Sequence, residues 1–244
     1  MPTNQQSLST AVTKLLIAGT VAFTLTWVSL GFISDGYSFF DIVVEDYSPI
    51  SQPISGLGLG KTGPAMNIAF VLYGLTALAG AVGIGRNLGK IDQRAGRTSL
   101  VTFGLFGLGA ILVGIFTLEQ MDMHSLGFLL VLAPILGFAM IGRRLTQQPE
   151  WRRLGRSLTR IAAPVGLLLV GVFFATFDPE AAGAGEGFAG LSQRALILHL
   201  QAWIVTIAWV AMRRFPQASP GHRHAKANLP PRTSKQAPQK APDR

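Results

Sequence analysis

An all-α membrane bundle of six transmembrane helices, with both termini cytoplasmic, is the fold class the sequence predicts, and three observations carry it. Charged residues make up 14% of the 244-residue chain and hydrophobic ones 49%, against about 25% charged in an ordinary soluble domain. The apolar residues fall into long blocks nearly free of charge. Each block is close to the ~20 residues a helix needs to cross ~30 Å of hydrocarbon at 1.5 Å per residue. All but two of the basic residues fall at the termini or in alternate connections between the blocks. An outer-membrane barrel is excluded, because period-2 alternation in ~10-residue units is absent.

The first block, Leu15–Ile33, is longer than the apolar core of a signal peptide, and no small-residue cleavage pattern follows Ile33. It is expected to be a retained helix. The second and third blocks are Ala65–Ile84 and Ser99–Leu118. Gly74, Gly80 and Gly83 in one and Gly104, Gly107 and Gly114 in the other predict a tight antiparallel pair, since small residues let backbones approach. The fourth and fifth, His124–Ile141 and Ile161–Phe177, contain Pro134 and Pro164. Kinks are expected at both, because proline lacks an N–H and crowds the preceding turn. The sixth is Ala195–Met212. Residues 1–214 therefore read as one six-helix transmembrane domain. Residues 215–244 read as a disordered basic cytoplasmic tail, with six prolines after Phe215 and too few apolar groups to offset ordering entropy.

Sidedness follows from the basic residues. Lys14, the second connection (Arg86, Lys90, Arg94, Arg97), the fourth (Arg143, Arg144, Arg152, Arg153, Arg156, Arg160) and the eight from Arg213 onward make nineteen; only Lys61 and Arg194 fall elsewhere. By the positive-inside rule the nineteen face the cytosol of a multi-pass protein in the cell inner (plasma) membrane. Nine of the twelve acids, among them Asp35, Glu119, Asp122 and Asp178, fall on the opposite side. The net charge of +9 thus reflects topology. No basic face interleaved with aromatics exists, so the expected partners are membrane lipids and no nucleic acid.

The first outer connection holds "YSPISQPISGLGLGKTGPAMN", starting at Tyr47. Gly60-Lys61-Thr62 imitates the end of a phosphate-binding loop, but Ser55 stands where that motif needs its first glycine. Gly58, Gly60 and Gly63 match G-x-G-x-x-G without a preceding strand or a following acid. The stretch also leads into Pro64 and a membrane helix on the extracytoplasmic face, so no nucleotide partner is expected. Ser51, Ile54, Ser55, Leu57 and Gly58 instead match the S-x-x-I-S-x-L-G segment of a prokaryotic integral-membrane family, domain-of-unknown-function family 998, which the chain resembles over Thr13–Arg213. The specific part of that likeness is Asp46–Gly60. It implies a six-helix layout with an acid near the outer end of the third helix, and it brings no catalytic residues. Ser48, Ser51 and Ser55 alternate with Pro49 and Pro53 ahead of three glycines, so the loop is shaped rather than slack. Folding back into the bundle mouth and lying on the surface both stay open.

Ionisable groups in or near a span are functional candidates, because burying them without a partner is costly. Ser51, Ser55, Asn67, Glu119, Asp122, His124, Asp178 and His199 all fall near the outer side and form the candidate polar pocket. In one reading the pocket binds or passes a small amphiphile or lipid. In a second, His124, His199 and Asp122 hold a divalent metal that activates water for intramembrane hydrolysis of a lipid. In a third, the same residues only shape a structural or accessory membrane protein. No H-E-x-x-H spacing and no cysteine is present, so metal ligands would have to converge from separate helices; no other cofactor is expected. No charge lies deep in any block, which counts against ion or proton coupling.

Overall fold

Six helical stretches are long and apolar enough to cross a membrane in the structure, a computed structural model that describes residues 4–214. They are Leu8–Ile33, Gly60–Gly89, Gln93–Ile115, Leu118–Leu145, Pro149–Thr176 and Ala189–Arg214. Leu25, Ile68, Leu136 and Leu168 each leave more than half of their surface uncovered on these stretches. Apolar side chains line both the inside and the outside of the bundle, as lipid contact requires. The chain is a multi-pass integral membrane protein. The expected tail at 215–244 lies outside the described residues.

Helix α1 (Asn4–Ile33) leads into a hairpin of β1 (Tyr37–Phe39) and β2 (Ile42–Val44), paired antiparallel with Tyr37 opposite Val44. These three-residue strands are too short to leave a periodic signature in the sequence. Two 3-10 turns, Ile54–Gly58 and Gly60–Thr62, follow and lead into α2 (Gly63–Gly89), with Pro64 in its first turn. Helix α3 (Gln93–Ile115) starts where Asp92 accepts the N–H of Ala95 at 2.8 Å, a side-chain cap for an otherwise orphaned donor.

The fourth span is broken into α4 (Met121–Val131) and α5 (Ala133–Leu145), and the break at Leu132 precedes Pro134. The fifth comprises α6 (Arg152–Ser157), a π-turn at Leu158–Ala162 and α7 (Ala163–Thr176), with Pro164 just beyond the π-turn. Both prolines therefore distort their helices by removing one donor and displacing the turn before them. A short α8 (Pro179–Gly183) connects to α9 (Ala189–Arg214).

Helices α2 and α3 form the most extensive pair. A Cβ on Gly74 would lie 2.5 Å from the Gly107 carbonyl, and one on Gly107 would lie 2.8 Å from that of Gly74. Gly114 likewise faces the Asn67 carbonyl. Gly80 and Gly83 serve a different contact, against Leu16 and Thr13 of α1, and Gly104 has no neighbour within 4 Å of such an atom. The expected hairpin is present, but only half of the six glycines build it. Its interior is sealed by Tyr73, stacked on Phe23 at 4.6 Å and edge-on to Phe106 at 5.7 Å.

Candidate functional site

At the end of the bundle that carries the hairpin, residues 51–59 are buried without interruption. Of the two arrangements left open by the sequence, the chain adopts the fold-back one. Irregular backbone inside an apolar bundle must have its polar groups satisfied by protein, and α9 supplies them. Arg194 Nη1 donates to the carbonyls of Pro49 (2.7 Å), Gln52 (2.8 Å) and Gly190 (2.9 Å), and Nη2 donates to the Tyr47 hydroxyl. The Tyr47 hydroxyl in turn donates to the Pro53 carbonyl at 3.2 Å. Gln193 Oε1 accepts the N–H of Ile54 at 2.7 Å, and Gln52 Nε2 donates to the Ala182 carbonyl at 2.6 Å. Two main-chain bonds, Gly190 to Ser51 and Leu191 to Ile50, complete the seam. Gly190 is required there, because a Cβ would sit 2.3 Å from the Gln52 carbonyl. Arg194 is only 6% exposed and has no carboxylate partner among the described residues. The carbonyl ring and the faces of Trp27 (5.4 Å) and Tyr47 (5.8 Å) receive its charge instead.

The folded-back loop forms one wall of a cavity of about 320 Å³. The hairpin, the start of α4, the end of α7 and α8 supply the remaining walls. Its lining is mainly apolar and aromatic, with Phe39, Phe128, Phe173, Phe174 and Phe177 prominent. A second chamber of about 40 Å³ continues inward among Phe23, Phe70, Tyr73 and Phe106. Ser55, His124, Phe128 and Gln193 line both spaces and so form the neck between them. Ser55, His124 and Gln193 are each 7% exposed. His124 Nδ1 lies 2.8 Å from the Phe116 carbonyl; a carbonyl only accepts, so Nδ1 carries the proton and Nε2 is the acceptor in the neutral ring. Gln193 has its oxygen engaged by the loop, which leaves its NH₂ as the free donor. Ser55 Oγ, His124 Nε2 and Gln193 Nε2 have no hydrogen-bond partner among the described residues. Tyr37 adds a phenol to the cavity wall. Burial, then the neighbouring Tyr47, pushes its pKa above the ordinary range, against a smaller pull from Arg194. Burial raises Tyr47 as well, against Arg194. Both phenols stay protonated donors at neutral pH.

The eight residues singled out by sequence have separate fates. Ser55 and His124 meet at the neck. Ser51 is fully buried in the fold-back loop, where its carbonyl accepts from Gly190 and its hydroxyl has no partner among the described residues. Asn67 Nδ2 donates to the Gly58 carbonyl at 3.0 Å and fastens the loop to α2. Glu119, Asp122 and Asp178 stay exposed on the rim, and Asp178 caps α8 by accepting from Glu180 and Ala181. His199 lies apart, with Nε2 2.9 Å from the Ala162 carbonyl at the π-turn and its ring edge-on to Trp203. His124, His199 and Asp122 do not converge, and among the described residues no group of three His, Asp or Glu side chains could hold a metal ion.

Sequence reasoning passed over Gln52, Gln193, Arg194 and Tyr37. One signal was present for Arg194: it and Lys61 are the two basic residues that break the charge asymmetry. Lys61 explains itself as an exposed ion pair with Asp35 at 3.0 Å, whereas Arg194 marks a buried seam.

In comparisons with known proteins, a family model described as "Protein of unknown function (DUF998)" matches residues 17–210. No curated protein and no solved structure matches the chain.

Proposed function

The chain belongs to the DUF998 family and carries six helices long and apolar enough to cross a membrane, and from that premise we propose that it binds a membrane amphiphile in the cavity at its hairpin end. The observation that carries this reading is the cavity itself. At about 320 Å³ it falls within the ~300–1,000 Å³ of ordinary small-molecule pockets. It has their make-up too: an apolar lining with a few convergent polar groups. Leu129, Phe174 and Phe177 line it and are also exposed on the lipid-facing surface. An amphiphile therefore enters sideways from the bilayer between α4 and α7, without crossing water. The excess of arginines at the opposite end supports a hairpin end outside the cytosol, and on that reading the ligand comes from the outer leaflet of the inner (plasma) membrane.

The test is to identify what the protein carries. Protein reconstituted from native membrane into nanodiscs is washed, extracted and analysed by mass spectrometry beside a Ser125→Trp variant, which fills the cavity from α4. The expected result is one class of amphiphile enriched with the native chain and lost from the variant. Identical lipid profiles for the two would overturn the proposal.

A further inference from the structure

We propose that the neck formed by Ser55, His124 and Gln193 selects an amphiphile whose polar end is uncharged and carries both a hydrogen-bond donor and an acceptor, such as an alcohol or a glycerol ester; this deepens the proposed function and rests on it. Three side chains, each with an unpaired polar atom and each more than nine-tenths buried, line both chambers there. Gln193 Nε2 can only donate, neutral His124 Nε2 can only accept, and Ser55 Oγ does either. A group that offers both functions satisfies all three at once. A hydrocarbon would leave them orphaned, and a buried polar group without a partner is costly.

Charge is disfavoured for a separate reason. No Asp, Glu, Lys or Arg lines either chamber. Arg194 is next in sequence to Gln193, but it lines neither chamber, and its Nη1 and Nη2 are committed to the carbonyls of Pro49, Gln52 and Gly190 and to the Tyr47 hydroxyl. A phosphate, ionised carboxylate or quaternary ammonium would lose its hydration at the neck with no counter-charge to replace it. The exposed carboxylates Glu119, Asp122 and Asp178 stay at the rim, in water and away from the bound head. The aromatic walls of the outer cavity take the alkyl chain.

A series of probes sharing one twelve-carbon chain tests the assignment: 1-dodecanol, 1-monolauroylglycerol, laurate at pH 8, dodecyltrimethylammonium and dodecane. Each is added to the full-length protein in nanodiscs, and the bound fraction is read by native mass spectrometry, with Ser125→Trp as the blocked reference. The alcohol and the glycerol ester are expected to bind at least about tenfold better than either ion, the factor set by roughly 1.4 kcal/mol. Ser55→Ala removes a hydroxyl that bonds to no described protein group. It should bring the alcohol about threefold to tenfold closer to dodecane while dodecane itself is unchanged. Gln193→Leu gives the same readout, so a folding defect in one variant leaves the other decisive. An ion that binds as well as the alcohol, or an alcohol preference that survives in both variants, overturns the neck assignment and leaves the amphiphile cavity standing. If no probe, dodecane included, distinguishes the native chain from Ser125→Trp, the cavity reading falls and takes this one with it.

Discussion

Arg194 Nη1 donates to the carbonyl of Gln52 at 2.8 Å, joining residues 142 positions apart. That bond and its companions to Pro49 and Gly190 hold a stretch of irregular backbone inside a membrane bundle. Arg194→Ala would orphan the carbonyls of Pro49 and Gln52 and take a donor from the Tyr47 hydroxyl, each unmet group costing about 1–3 kcal/mol when buried. A fall in melting midpoint on the order of 10 °C in nanodiscs is expected, at roughly 2–4 °C per kcal/mol for a chain of this size. Arg194→Lys should recover only part of it, because an ammonium lacks the planar fork that reaches Tyr47 and the carbonyls together. A lysine variant as stable as the native chain would sink this account.

The hairpin of α2 and α3 makes its own prediction through a matched pair. Gly107→Ala puts a methyl 2.8 Å from the Gly74 carbonyl, whereas Gly104→Ala meets nothing within 4 Å. The first should destabilise by about 1–3 kcal/mol, the usual cost of overpacking. The second should be neutral or slightly stabilising, since alanine is the better helix former. Thermal melts of the two variants side by side decide it.

Much of the architecture was legible because lipid imposes it. A helix must be about twenty apolar residues long to span, and that requirement is written into six blocks. Pro134 and Pro164 announced the break at Leu132 and the π-turn at Leu158–Ala162 for an equally local reason. The site was legible in part. Ser55 stood out through its motif and His124 through its position, but the direction in which a helical side chain faces depends on neighbours hundreds of atoms away. Glutamines such as Gln52 and Gln193 carry no pattern at all; only the folded chain shows that Gln193 pairs with the loop N–H of Ile54 and Gln52 with the Ala182 carbonyl of α8. The acids misled for the opposite reason. They mark the watery end of a span, and three of them simply remain in water.

Sidedness is open to a direct measurement, because the native chain has no cysteine. Ser38 is exposed on the hairpin and Gln147 is exposed at the opposite end. In intact cells, a membrane-impermeant maleimide should label Ser38→Cys and spare Gln147→Cys until the membrane is opened. Equal labelling would refute the orientation assigned from the arginines.

Alkaline stability should report the buried phenols. A group whose folded pKa lies above its unfolded value binds more protons when folded. Its contribution is therefore complete below the unfolded pKa, near 10 for tyrosine, and is lost as pH rises through the folded value. Burial raises both Tyr37 and Tyr47. The melting midpoint should thus decline above about pH 10, and more gently in Tyr37→Phe, which has no phenol to ionise there. Matching slopes for the two proteins would show that Tyr37 is not held protonated by the fold.

His199 separates a structural histidine from a ligand-binding one. Its Nε2 donates to the Ala162 carbonyl, at the π-turn where the regular bonding of the helix is interrupted, and it lines neither chamber. His199→Leu keeps the apolar volume but leaves that carbonyl unmet, at a cost of about 1–3 kcal/mol. The variant should melt earlier and still bind the twelve-carbon alcohol as the native chain does. His124→Phe should also melt earlier, since the Phe116 carbonyl loses its donor, but it alone should lose alcohol binding, because the lost acceptor lies at the neck. If alcohol binding fell equally in both, the two imidazoles would have to act on one ligand, and the separation of His199 from the cavity described here would be wrong.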